Sequence, residues 1–163
     1  HLNIPKPLHG LNPRTILGQE WWDRTRQEAY KRTNYHCAVC GIHKSKAKYH
    51  RWLEAHEHCK IDYEKGTVEV IEINALCHSC HSFIHDGLLR IKYEKGEIPY
   101  EKYEDILNHG ENVLRKAGLV RPDYPTYEDF PPVKWSDWRL ILDGKEYPPL
   151  WEDYLHWSIH YDN

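Results

Sequence analysis

The chain has 163 residues, is 13% aromatic and 29% charged, and has a mean hydropathy of −0.83. It fits one domain with extensions, and the absence of any apolar run of about 18 residues excludes a membrane-spanning helix. A net charge of −3 excludes the uniformly basic footprint of a typical DNA-binding domain.

The charge is unevenly spread. Residues 1–48 carry +6, residues 49–120 carry −4 and residues 121–163 carry −5. A basic front end can meet phosphates, whereas an acidic tail repels them. The chain begins at His1 and contains no Met, so a trimmed start is expected. It shows no signal-peptide pattern. Five cysteines without a secretory signal favour metal binding over disulfides, and therefore a reducing, cytoplasmic setting.

Residues 1–17 hold Pro5, Pro7 and Pro13 and read as extended or turning. Asn12-Pro13 is a helix-start signal, with Asn12 as cap and Pro13 at the first helical position. Residues 19–33 are rich in helix formers, and Trp22, Ala29 and Tyr30 recur at helical spacing. Cys37-Ala-Val-Cys40 follows, with Gly41 suited to the tight turn of a metal-binding knuckle. In residues 42–50, Lys44, Lys46 and Lys48 alternate, so an extended segment would align them on one face.

Residues 51–57 and 66–74 read as two strands joined by the turn-rich Asp62-Tyr-Glu-Lys-Gly66. In the second strand the apolar parity shifts between Val70 and Ile71, the mark of a bulge or added twist. Cys77-His-Ser-Cys80 is the second knuckle, and residues 80–90 read as a helix with His81 and His85 at i and i+4. Residues 99–117 form the clearest helix, with an apolar stripe through Tyr103, Ile106, Leu107, Gly110, Leu114 and Ala117. Residues 119–163 then change character, with six Pro and four Trp. There Arg139-Leu-Ile-Leu-Asp143-Gly144-Lys-Glu-Tyr147 reads as a hairpin turning at Asp-Gly, and residues 149–157 as a short closing helix. The resulting organisation is an N-terminal extension and helix (1–34), a zinc module (35–90), a packing helix (91–120) and a Pro- and aromatic-rich acidic extension (121–163).

Two Cys-x-x-Cys pairs with 36 residues between them carry the strongest chemical signal. Each knuckle aims two thiolates at one ion, so Cys37, Cys40, Cys77 and Cys80 are expected to hold a structural, tetrahedral Zn²⁺. Cys59, the fifth cysteine, reads as a small buried hydrophobe. His43, His50 and His109 read as solvated.

The order of knuckle, strand with His, strand, knuckle and helix with His-x-x-x-His resembles the HNH nuclease family over about residues 35–90. The resemblance is carried by Leu53-Glu-Ala-His-Glu57 and Cys77-His-Ser-Cys-His-Ser-Phe-Ile-His85. It implies an α+β fold, a ββα-metal motif on a treble-clef zinc scaffold, with flanking helices and an aromatic C-terminal extension. It also implies a second divalent ion (Zn²⁺, Ni²⁺, Mn²⁺ or Mg²⁺) held by His56, His81 and His85, and hydrolysis of DNA phosphodiester bonds. A small nuclease of this kind is expected of a phage or mobile element, by analogy with the family.

Two positions depart from the family. Glu57 stands where the family's general-base histidine would follow the strand ligand, and a carboxylate of ordinary pKa, about 4.3, is a weak base. An alternative frame takes His56 as base and Glu54 as ligand. Asn74, three residues before Cys77, does not match the family's middle Asn. Under the nuclease reading Arg24, Lys44, Lys46, Lys48 and Arg51 would contact the DNA backbone without reading sequence. The competing reading is a catalytically degenerate zinc module that binds a protein, as inhibitor or adaptor, through residues 119–163.

Overall fold

The computed structural model describes residues 4–121 and 133–150. Among them the elements run α1 (Pro13–Arg32), β1 (Glu54–Asp62), β2 (Thr67–Leu76), α2 (His78–Ile84), α3 (Asp86–Glu94), α4 (Tyr100–Lys116), β3 (Arg139–Leu142) and β4 (Lys145–Tyr147). The fold is α+β, and its sheet has the strand order β1-β2-β3-β4. The described chain forms two compact units, one of residues 26–56 and 74–121, the other of residues 4–25, 57–73 and 133–150. The units interleave along the sequence instead of following the consecutive segments that composition suggests. The helix expected at 149–157 lies almost wholly outside the described residues.

The first unit is built on Tyr30, Cys37, Leu53, Ala75, Leu76, Cys77 and Cys80, with Tyr35, Ile42, Ala55 and Ile84 packed against them. Leu53 and Ala55 come from the chain entering β1, and Ala75 and Leu76 from the end of β2, so period-2 alternation delivers this apolar face. The helix expected over 80–90 is two helices. α2 ends at Ile84, and His85 (φ −97°, ψ 44°) forms the break before α3. Asp86 and Gly87, both poor helix formers, follow immediately. α4 occupies its predicted span, buries Ile106 and Gly110, and packs on α2 and α3. Tyr93 of α3 stacks on Tyr103 of α4 with ring centroids 4.8 Å apart.

The second unit packs around Leu8, Tyr63, Val68, Trp138 and Leu140. Asn12 caps α1 as expected: its Oδ1 accepts from the Thr15 backbone N–H at 3.0 Å, and Thr15 Oγ1 accepts from Asn12 N–H at 3.1 Å. Gly18 (φ 85°, ψ 170°) then breaks α1 into a short first turn and the helix proper. In β2, Val68 and Ile73 are buried while Ile71 and Glu72 are exposed, so the inward parity does shift along the strand. β3 runs parallel to β2, with Val68 opposite Leu140, and turns into antiparallel β4. Asp143 (φ 51°) and Gly144 (φ 72°) both have positive φ, as a tight Asp-Gly hairpin requires. Cys59 packs against this core, and burial, with the charge of Glu57, pushes its thiol up to about 11.

A Cβ built on Gly110 would lie within 2.4 Å of three ring atoms of Phe83, so α4 approaches α2 as closely as a bare glycine allows. Gly→Ala in a helix interior ordinarily stabilises by up to about 1 kcal/mol. Here the sign reverses, and Gly110→Ala is expected to lower stability by about 1–3 kcal/mol through overpacking, measured by urea unfolding.

Candidate metal centres

The first knuckle is closed by backbone bonds. Cys37 N–H donates to Ile42 O at 2.9 Å, Gly41 N–H to Cys37 O at 2.9 Å, and His36 bridges to His43. Gly41 has φ 73°, the left-handed conformation its turn needs. Ala38 N–H donates to Ala75 O at 2.8 Å and ties the knuckle to the end of β2. The second knuckle straddles the start of α2, where His81 N–H donates to Cys77 O at 2.9 Å. The four sulfurs of Cys37, Cys40, Cys77 and Cys80 all lie within 4.8 Å of one another. The Cys40–Cys77 separation is 3.7 Å, while four sulfurs about 2.3 Å from a tetrahedral zinc stand about 3.8 Å apart. The donor set therefore fits Zn²⁺. Hydrogen bonds from Cys37, then Cys77 and Cys80, hold the Cys40 thiol well below its ordinary range, while the same contacts raise those of Cys77 and Cys80.

A second group stands beside it. One ring nitrogen each from His56 on β1, His81 on α2 and His85 at the α2 break lie within 4.8 Å of one another. The ring centroids are 5.4 Å apart for His56–His81, 4.9 Å for His56–His85 and 4.8 Å for His81–His85. The i, i+4 placement survives the helix break because His85 N–H still donates to His81 O at 3.2 Å. His56 is only 9% exposed. Burial, and then the charge of His81, push the His85 imidazole down to about 4, so it is a neutral ring with a lone pair to give.

Glu54 supports this group. Its carboxylate accepts from His81 Nδ1 at 2.5 Å and from His78 Nδ1 at 2.8 Å. Burial opposes its ionisation, but the bonds from His78 and His81 outweigh that and hold the carboxyl well below the usual range. An ionised carboxylate only accepts, so both rings carry a proton on Nδ1, which leaves Nε2 as the nitrogen able to face an ion. For His81 that is the tautomer in which a carboxylate behind the ring orients a metal-binding nitrogen in front of it.

Strand alternation puts Glu54 and His56 on one face of β1 and Glu57 on the other, with Cys59, whose thiol Glu57 influences. The structure thus brings Glu54 to the histidines. The candidate phosphate contacts are dispersed. Arg24 is exposed on the part of α1 in the second unit. Lys44 lies 4.1 Å from the centre of the Tyr35 ring, Lys48 pairs with Asp105 at 2.6 Å, and Lys46 and Arg51 are exposed. Lys44–Lys46 form a 3₁₀ turn and not an extended segment, so the three lysines do not line one face. The reason is local: Nδ1 of His43 accepts from the Ser45 backbone N–H at 3.3 Å and caps the turn.

The three histidines expected to be solvated are all engaged, His43 in the cap just described and two others elsewhere. His109 Nε2 lies 3.2 Å from Cys80 Sγ. His50 packs on Trp52 and edge-on against His78, with 4.2 Å between centroids in each case. The His109–Cys80 and His50–His78 contacts have no signal in local sequence, because each joins residues 28 or more positions apart.

No family model, curated protein or solved structure matches the chain. Among the described residues no helix is long and apolar enough to cross a membrane.

Two measurements check the site. Cys77→Ser removes one of four sulfurs and is expected to reduce bound zinc from one ion per chain to a small fraction, with loss of stability, read by metal analysis and circular dichroism. In protein carrying metal only at its cysteines, the His85 ring is expected to titrate near pH 4, followed by NMR. Its folded pKa lies below the unfolded value of about 6.5, so the stability it contributes is present above pH 6.5 and is lost as pH falls toward 4.

Proposed function

We propose that this protein is a metal-dependent endonuclease of HNH type, hydrolysing DNA phosphodiester bonds on a treble-clef zinc scaffold. The observation that carries the reading is the convergence of His56, His81 and His85, from one strand and one helix, beside the four-cysteine cluster. Three neutral imidazoles suit Zn²⁺, Ni²⁺ or Mn²⁺ better than Mg²⁺, which favours an oxygen shell. A divalent ion bound there supplies charge stabilisation for a scissile phosphate and its leaving oxygen. The protein's own part is to hold and orient. His56, His81 and His85 donate nitrogen, and Glu54 fixes the ring of His81. Glu57, next in chain to His56 but on the opposite face of β1, is the proposed base for the attacking water, a role that requires a local change of register in β1 to turn it toward the ion. Arg24, Lys44, Lys46, Lys48 and Arg51 are the proposed backbone contacts.

A second reading, a non-catalytic module that binds a protein through residues 119–163, draws support from exposed Leu119 and Val120 (59% and 85%) at the head of the acidic extension.

Plasmid DNA incubated with the protein and Mn²⁺, Ni²⁺ or Mg²⁺ separates them. The nuclease reading expects nicking that His56→Ala abolishes and that Glu57→Gln slows by about 10²–10⁴-fold without loss of bound metal. Absence of nicking with every metal, in protein carrying both its cysteine-bound ion and an ion at the histidines, favours the binding module.

A further inference from the structure

The chemistry of the site extends past the three histidines that the resemblance singles out. One nitrogen from His50, one from His78 and a carboxylate oxygen of Glu54 also lie within 4.8 Å of one another. Three features mark this as more than a chance meeting. His50 is held on both sides, stacked on Trp52 and edge-on to His78. Glu54 Oε1 accepts from His78 Nδ1 at 2.8 Å, so oxygen and nitrogen already face each other, and an opening of about 0.5 Å would bring them to the edge of about 3.3 Å of a tetrahedral site. Ser82 Oγ lies 3.5 Å from His78 Nε2, where the ring proton would go if Nδ1 gave its lone pair to an ion.

We propose that His50, Glu54 and His78 form a second divalent-cation site, distinct from the His56–His81–His85 group and joined to it by the Glu54 carboxylate. One oxygen, Oε1, ligates the ion with His50 and His78, while the other, Oε2, continues to accept from His81 Nδ1. Glu54 is then a ligand in one site and an orienting group in the other. Two imidazoles and one carboxylate select a first-row divalent ion such as Zn²⁺, Co²⁺ or Mn²⁺. As the ion takes the Nδ1 lone pair, the ring proton sits on Nε2, toward Ser82 Oγ. Two ammonium groups lie near the Tyr49 ring beside His78 and oppose the ion: Lys102, 4.7 Å from the ring centre, and Lys48, 5.4 Å from it and paired with Asp105. The site holds whether or not the protein cuts DNA, since it rests only on ligand geometry.

The test is cobalt binding to the full chain with its cysteine-bound metal retained, read by equilibrium dialysis with metal analysis and by visible absorption of the bound Co²⁺. The proposal expects two Co²⁺ beyond the cysteine-bound ion. His50→Ala and His78→Gln each remove one, His56→Ala removes the other with a different absorption band, and His50→Ala combined with His56→Ala removes both. The content of cysteine-bound metal certifies that each variant is folded; His50→Ala, whose residue precedes β1 and adjoins no cysteine, decides if His78→Gln loses that metal. Uptake of a single Co²⁺ by the unmodified chain, or two retained by folded His50→Ala, overturns it. DNA cleavage is not part of the readout, so failure here and failure of the nuclease reading are seen separately.

Discussion

The meeting of four sulfurs sets the position of everything chemically interesting in the first unit. Cys77 is at once the residue after β2 and the cap of α2, so whatever fixes its sulfur fixes the end of one element and the start of the next. His81 sits one turn further, tied by its N–H to Cys77 O at 2.9 Å. The opposite wall hangs from the same point: β1, which carries Glu54 and His56, is hydrogen-bonded to β2, which ends next to Cys77. An ion at the cysteines therefore sets the spacing between strand and helix histidines. In a unit with so small an apolar cluster, such a clamp supplies order that packing alone does not.

Charge balance links the two groups. A zinc with four thiolates carries a net charge of about −2, which a half-buried setting tolerates only with compensation. His109 lies against this cluster, and its hydrogen bond and attraction to the Cys40 thiolate favour the imidazolium, so its pKa is raised. On the other side Glu54 is a half-buried carboxylate that accepts from the ring N–H groups of His78 and His81. An ionised carboxylate among several imidazoles is a donor set that suits a cation.

Much of this was legible residue by residue, for reasons that are local. The paired Cys-x-x-Cys spacing, the i, i+4 histidines, the Asn12-Pro13 cap, the stripe of α4 and the Asp143-Gly144 turn each encode their structure within a few residues. What was not legible depends on distance. Glu54 reads as an ordinary strand carboxylate until α2 folds over it, because 24 residues separate it from His78. The parallel pairing of β3 with β2 joins residues some 70 apart, Thr67 with Arg139, so an extension that composition set aside supplies part of the second unit's sheet. The lysines of 44–48 misled in the opposite way: alternation implies a strand only where nothing local competes, and the His43 cap competes.

The environment of Glu54 also bears on the two ways of aligning β1 with the proposed catalytic site. A general base works best when its pKa lies near the working pH, and a carboxylate needs burial or a like charge to be lifted there. Glu54 is buried, but its two imidazole donors win over desolvation and push its pKa down. Each of its oxygens already accepts from an imidazole and its proton affinity is low, the reverse of what water activation requires. The same properties make a good anchor for metal ions and for the rings that bind them. The frame in which His56 turns from ligand to base and Glu54 from support to ligand of the same ion asks the carboxylate to leave both imidazoles, at the cost of two charge-assisted hydrogen bonds. The frame with His56 as ligand leaves the Glu54 carboxylate facing the imidazoles of His78 and His81 and does not ask it to accept a proton.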